Sequence, residues 1–421
     1  MTSTSPPRLR RSLVFSTLTA GSAVLMLWLS AIAARTLSAN VFGQFMWVIT
    51  FATMAEALMD LGLHQITVRA IARDRSQAAR LLHNSLAMKM LPGLVMFVVM
   101  GGATFVLRPE AAVRTACLVM LTSAVLRSYL LTVRGILLGL ERFDHESIVV
   151  ILDRVLVLVA CAWAILHGWG LVGLTMMFVA ARVVALGAAL VLARSLVGGL
   201  AFRFDVPLWR ELQRQALPVG LFLIVLNFYS YIDTIMLGVL STDAETGRYG
   251  AAYQLYVGLS YLPAILSSVL APRLAALWAA DRIAHRRLAW QGLGAAAGLS
   301  VIATIPMWWL AQPLLTFVFS GTSGVNYGAA ALTLRILLSG LGFIFVVWIL
   351  QALAISVDQE RILFSTTVIG AIFNTGMNAL LIPRYGGNGA AAATLFGEGL
   401  TMALLMYRLR GVLRGPIRRN A

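Results

Sequence analysis

Apolar residues run along this chain in long blocks, separated by short polar interruptions in which arginine recurs. The blocks fall near 13–34, 43–63, 86–107, 116–138, 148–167, 171–193, 216–240, 249–270, 290–312, 329–350, 362–382 and 389–409. Each approaches the roughly 20 residues that a bilayer-crossing helix requires. Within the blocks the apolar residues cover every face, which is the pattern of a helix surrounded by lipid and other helices rather than one lying on a water-facing core. Twelve transmembrane helices are therefore expected, with no sizeable segment left over for a soluble domain.

Composition agrees with that pattern. Of 421 residues 60% are hydrophobic and 12% charged, against about 45–50% and 25% in an ordinary soluble domain. The formal net charge of +16 is therefore not the footprint of a nucleic-acid-binding domain, and no nucleic-acid partner is expected. The first block follows Arg8, Arg10 and Arg11 and ends in Ala31-Ile32-Ala33, like a cleavable leader. It is longer than the roughly 7–15 apolar residues of such a leader, and it reads as the first membrane helix.

The placement of charge sets orientation. Arginines of the N-terminus, of alternate connections and of the C-terminal tail account for 22 of the 33 basic residues, whereas the opposite connections hold five: Arg35, Arg108, Arg114, Arg248 and Arg384. By the positive-inside rule both termini are cytoplasmic. Membrane lipids are the expected contact of the basic tail, Arg408 to Arg419.

The widest cytoplasmic connection follows block six, and the two sides of it resemble each other. Phe42-Gly43 after Leu37-Ser38 corresponds to Tyr249-Gly250 after Leu240-Ser241. Gly170-Leu171-Val172-Gly173 corresponds to Gly386-Gly387-Asn388-Gly389. The expected organisation is a six-helix bundle over 1–195, a linker over 196–215, a second six-helix bundle over 216–410 and a basic tail over 411–421. Six helices per copy insert both copies the same way round, with a central cavity between two parallel repeats.

Candidate chemistry is sparse. Cys117 and Cys161 lie in apolar blocks, and the five histidines never take metal-ligand spacing. No phosphate-binding glycine loop, nucleophile set or cofactor motif is present, so neither catalysis, metal nor cofactor is expected. What remains is a set of ionisable residues inside the blocks, each costly in hydrocarbon and a functional candidate for that reason. Lys89 and Arg134 lie near a cytoplasmic helix end, where snorkelling accounts for them. Arg127 and Arg182 are near the centres of their helices, where they either bind an anion or pair with Asp153 or Glu56. Arg127 and Arg134 are seven apart and share a helix face; Arg154 adjoins Asp153 without facing it. Glu56 and Asp60 are four apart and either form a carboxylate pair for a proton or sodium ion or simply pair with the arginines; Asp233 and Glu398 are their counterparts in the second half. Asn374, Asn378 and Glu398 make a candidate polar seam, as helix glue or as a site. Tyr249, Tyr253 and Tyr256 recur at helical spacing as a stripe that suits a lipid interface, or else stacking on sugar rings.

The segment Phe42-Gly43 through Asp60-Leu61-Gly62-Leu63, followed by Arg69-Ala70-Ile71-Ala72-Arg73, resembles the N-terminal signature of bacterial polysaccharide biosynthesis (oligosaccharide flippase) proteins. Ala216-Leu217-Pro218, Tyr231-Ile232-Asp233-Thr234-Ile235-Met236-Leu237-Gly238, Tyr249-Gly250-Ala251-Ala252-Tyr253 and Leu381-Ile382-Pro383-Arg384-Tyr385-Gly386 follow in the family's order. The family is part of the multidrug/oligosaccharidyl-lipid/polysaccharide exporter superfamily. The resemblance implies two six-helix bundles around a V-shaped cavity. It also implies a non-enzymatic exporter in the bacterial inner membrane that moves an undecaprenyl-pyrophosphate-linked glycan outward, alongside other polysaccharide assembly proteins. In that setting Arg127, Arg182, Arg154 and Arg134 are expected to hold the pyrophosphate, since the planar guanidinium binds phosphate oxygens in pairs, and Glu56, Asp60 and Asp233 to couple an ion. A cation-coupled multidrug exporter of the same superfamily shares the architecture, but cationic drugs call for an acidic cavity. A membrane-embedded polymerase or ligase needs a larger outer loop than the stretch from Pro313 to Gly328.

Overall fold

The computed structural model describes residues 21–414, and all regular structure among them is helical. Arg8, Arg10, Arg11, the start of the first expected block and the end of the basic tail lie outside the described residues. Ten helical stretches are long and apolar enough to cross a membrane. The chain is an all-α polytopic membrane protein.

The helices are α1 (Ala23–Thr36), α2 (Ala39–Asp60), α3 (Leu63–Arg73), α4 (Ala78–Met88), α5 (Met90–Leu107), α6 (Ala111–Gly139), α7 (Phe143–Leu166) and α8 (Gly170–Val197). They continue with α9 (Val206–Leu240), α10 (Asp243–Ser260), α11 (Leu262–Ala280), α12 (Arg282–Trp309), α13 (Ala311–Phe319), α14 (Ala331–Ser356), α15 (Glu360–Arg408) and α16 (Arg410–Arg414).

The count differs from the expected twelve for local reasons. Among the described residues α1 has only 14 residues, short of a span. The eleventh and twelfth blocks are joined in the 49-residue α15, whose backbone leaves the helical region at Gly386, with φ 53° and ψ −130°. In an unbroken helix residue 389 would lie about 10 Å along the axis from residue 382. Instead a Cβ at Gly389 would stand 3.0 Å from the Ile382 nitrogen, so the chain reverses and α15 is two legs. The block near 249–270 is divided between α10 and α11, because Pro263 opens α11 and has no N–H to continue the preceding turn. The outer stretch from Pro313 to Gly328 is partly ordered as α13, whose Leu315 and Phe319 are buried.

Packing separates the described chain into two compact units. One holds the residues up to Leu37 and Gln44–Asn227; the other holds Ser38–Gly43 and the residues from Phe228 onward. This division differs from the expected linker at 196–215, which packs with the first unit: Leu212 and Ala216 join Leu63, Ile71, Leu82, Val133 and Ile136 in one buried cluster. In the first unit α6 lies against α3 and α8, and α8 against α7. In the second, α14 is the central helix, packed on α10, α11, α12 and α15, with Leu334, Leu341, Phe345 and Ile349 fully buried. Large apolar side chains remain exposed along outer helix faces, as at Val98, Val106, Ile302 and Ile372. A lipid-facing surface has this character, since the surrounding hydrocarbon is as apolar as the side chains.

The turn between α2 and α3 shows how tightly the first unit closes. Leu61 and Gly62 both take positive φ, 47° and 79°, and Gly220 of α9 lies directly beneath them. A Cβ at Gly220 would collide with the Leu61 backbone, at 2.8 Å even from its Cα. A backbone neighbour cannot rotate away, so Gly220→Ala is expected to destabilise the protein by about 1–3 kcal/mol or more. A lowered thermal midpoint of the detergent-purified variant checks this; an unchanged midpoint contradicts the contact.

Candidate functional site

Polar clusters interrupt the apolar interior of each unit. In the first unit, Glu56 on α2, Arg127 on α6, Asp153 on α7 and Arg182 on α8 form a closed box. Glu56 Oε2 lies 3.0 Å from Arg127 Nε, and Glu56 Oε1 lies 3.2 Å from Arg182 Nη1. Asp153 faces the same two guanidinium groups at 3.7 and 3.8 Å. Two arginines and two carboxylates leave the box without net charge, the condition under which such groups are tolerated in a low-dielectric interior.

The two arginines are held differently. Arg182 is buried; its Nη1 also donates to Ser123 Oγ and O at 2.9 and 3.2 Å, and its guanidinium lies 4.8 Å from the Phe178 ring centre. Arg127 keeps 29% of its side chain exposed. It lines a small cavity with Arg134, Arg154, Asp153, Leu130, Leu131 and Val150. Arg134, one face with Arg127 as its spacing requires, donates through Nε and Nη2 to Glu146 Oε1 at 2.9 and 2.6 Å.

Lys89 does not snorkel. It sits at the break between α4 and α5, 1% exposed, with Nζ 2.7 Å from Asp60 Oδ1 and donating to Ser128 O and Oγ at 2.9 and 3.0 Å. All three ammonium donors are thus used inside the protein. Asp60 also accepts from the His64 backbone N–H at 3.3 Å. Glu56 and Asp60 share a helix face but meet different cations, Glu56 the two arginines and Asp60 Lys89.

In the second unit, Asp233 on α9 is buried and is met by neutral groups. It accepts from Asn378 Nδ2 and Thr394 Oγ1, both at 2.5 Å, and from Tyr249 OH at 3.0 Å. Asn378 Nδ2 further donates to Asn374 Oδ1 at 3.0 Å. Asn378 Oδ1 is buried without a hydrogen-bond partner. Among the described residues no lysine or arginine nitrogen lies within 4.0 Å of Asp233 or Glu398. A lone buried carboxylate met by one amide N–H and two hydroxyls, with no cation beside it, is suited to taking up a proton or a hard monovalent cation.

The expected seam is rearranged. Asn374 and Asn378 turn to Asp233, whereas Glu398 accepts from Tyr229 OH at 3.1 Å. The tyrosine stripe is not interfacial: Tyr249 and Tyr256 are buried, and Tyr253 stacks on Tyr249 and donates to Ser230 O. Ser123, Ser128, Tyr229 and Thr394 went unnoticed in the sequence. Ser123, Tyr229 and Thr394 each stand one helical turn before a charged candidate on the same face, Arg127, Asp233 and Glu398, whereas Ser128 has no such mark.

The model of the family described as polysaccharide biosynthesis protein matches residues 9–278, well over half of the chain. The chain belongs to that family. A stretch of 184 residues is 27% identical to the "Probable flippase AglR" of Haloferax volcanii, covering 43% of this chain and 38% of that relative. The polysaccharide biosynthesis family member described here has the fold of solved transporters at low identity. One is the lipid II flippase MurJ in an inward closed conformation, with TM-score 0.78 and 12% identity over 94% of this chain and 87% of that one. Another is a multidrug resistance MATE family transporter of the MOP superfamily in an inward-facing conformation, with TM-score 0.78 and 16% identity over 95% and 98%. The protein is thus a multi-pass membrane protein of the polysaccharide biosynthesis family with the fold of these two solved structures.

Proposed function

We propose that this protein translocates an undecaprenyl-pyrophosphate-linked oligosaccharide from the cytoplasmic to the outer face of a bacterial inner membrane, by alternating access and without catalysis, for surface polysaccharide assembly. The observation that carries the reading is the neutral arginine box opening at Arg127 onto a cavity that also holds Arg134 and Arg154. A diphosphate brings at least two negative charges and oxygens spaced for guanidinium forks. In this reading Arg127, Arg154 and Arg134 meet the pyrophosphate. Arg182, locked by Ser123 and Glu56, acts from behind by holding the two acids while Arg127 turns outward. Asp233, within its ring of Asn374, Asn378, Thr394 and Tyr249, loads the proton or sodium ion that drives the reset.

The test is translocation of a lipid-linked oligosaccharide in proteoliposomes, read as sugar accessible from outside. Arg154→Gln removes charged donors from the cavity, and Arg127→Gln does so when combined with Glu56→Gln, which keeps the box without net charge. Each is expected to slow transport by about tenfold, the value of one charge-assisted hydrogen bond. A multidrug exporter is the second reading, supported by the MATE-like fold. Extrusion of a cationic dye with no movement of the glycan lipid would replace the flippase by that exporter.

A further inference from the structure

Between α8 and α9 the chain crosses a short non-helical stretch over 199–205. Gly198 and Gly199, with φ 78° and 152°, turn it out of α8. One side of the stretch is pinned to α4. Arg203 N donates to His83 O at 3.4 Å, Asp205 N donates to Asn84 Oδ1 at 2.8 Å, and His83 Nε2 lies 3.1 Å from Gly199 O. Asp205 is further paired with Arg80 at 2.5 Å. That hydrogen bond, with one from the Leu208 N–H, holds its carboxyl below the usual carboxylate range.

The other side is apolar and uncovered. Leu200, Phe202, Phe204 and Val206 stand at every second position and are 39, 71, 60 and 38% exposed. Over the non-helical residues such alternation places Leu200, Phe202 and Phe204 on one side of the chain, and Val206 begins α9 next to them. A water-facing strap would not present two phenylalanines in this way.

Charge and depth say what covers it. Arg194, Arg203, Arg210 and Arg214 are exposed around the strap. Among the described residues none of them has a carboxylate within 4.0 Å. The preceding α8 is a candidate span of 28 residues. At 1.5 Å per residue it extends about 42 Å, the thickness of a bilayer with its headgroups. Its end at Val197 therefore falls among headgroups.

We propose that the 199–206 strap lies in the headgroup region of the arginine-rich leaflet and binds anionic phospholipid, with Phe202 and Phe204 directed toward the acyl chains and the four arginines on lipid phosphates. Its hold fixes the start of α9, the helix whose residues are divided between the two units. Basic residues beside a buried apolar edge are the usual means by which a peripheral segment prefers anionic lipid.

Spin labels on Phe202→Cys, Arg203→Cys and Phe204→Cys, in vesicles of phosphatidylglycerol and phosphatidylethanolamine, test the geometry. Labels at 202 and 204 are expected to collide more with oxygen than with a water-soluble nickel complex, and the label at 203 to show the reverse. Leu200→Cys and Val206→Cys read the same face if a phenylalanine variant fails to fold. Nickel access at 202 and 204 equal to that at 203 would overturn the proposal. So would protection of both positions from both reagents, which would mean protein covers the strap. For the charge, native mass spectrometry of the protein with added phosphatidylglycerol and phosphatidylcholine should show the anionic preference falling roughly fivefold per arginine in Arg203→Gln, Arg210→Gln and Arg214→Gln. Unchanged preference in all three would also overturn it.

Discussion

Lys89→Met is expected to destabilise the first unit by about 3–5 kcal/mol, the usual result of removing one member of a buried ion pair. Asp60, 8% exposed, would be left with only the His64 backbone N–H as a hydrogen-bond donor. Lys89→Met/Asp60→Asn, which removes both charges, should regain most of the loss. The measurement is thermal or denaturant unfolding of the detergent-purified protein. A single variant that unfolds at the parent's midpoint would show that the pair carries no such weight.

Asp233→Asn is expected to abolish the response of transport to an imposed ion gradient while leaving the fold intact. Asparagine keeps the shape of the side chain: its carbonyl oxygen still accepts from the Thr394 and Tyr249 hydroxyls, and Asn378 can turn its partnerless Oδ1 toward the new amide nitrogen. What disappears is the charge proposed above to take up a proton or cation. Coupling free energies between sites correspond to roughly 5–150-fold, so gradient-stimulated translocation should fall within that range toward the unstimulated rate. Running the vesicles under separate pH and sodium gradients identifies the ion. A variant that still responds fully to both would remove Asp233 from the coupling role.

The sequence made the membrane helices legible because burial in lipid needs only length and apolarity, both local properties. It also made the ionisable residues stand out, since every charge inside an apolar block is conspicuous. Partnership was another matter. Glu56 and Arg182 are 126 positions apart, and nothing in their spacing selects Glu56 over Asp153; the fold uses both. Glu56 and Asp60 share a face, yet a single turn of helix moves the second carboxylate from Arg127 to Lys89. The tyrosines of α10 have the spacing of an interfacial stripe, and only the packing of α10 on α14 and α15 turns Tyr249 inward. The expected seam failed for the same reason, because the glutamate had a nearer hydroxyl in Tyr229. Backbone reversals were partly legible: glycines at 386, 387 and 389 marked the turn that divides α15, whereas the left-handed Leu61 had no such mark.

Lys89 is the only lysine in the chain, and its ammonium is spent on three internal acceptors. The folded first unit therefore offers acylating reagents no side-chain amine. Trypsin likewise finds only arginines to cleave after. Modification of Lys89 then becomes a clock for opening of this unit: its rate, compared with that of the denatured chain, reports how often α4 and α5 part from α2 and α6 in a native membrane, with no probe to introduce.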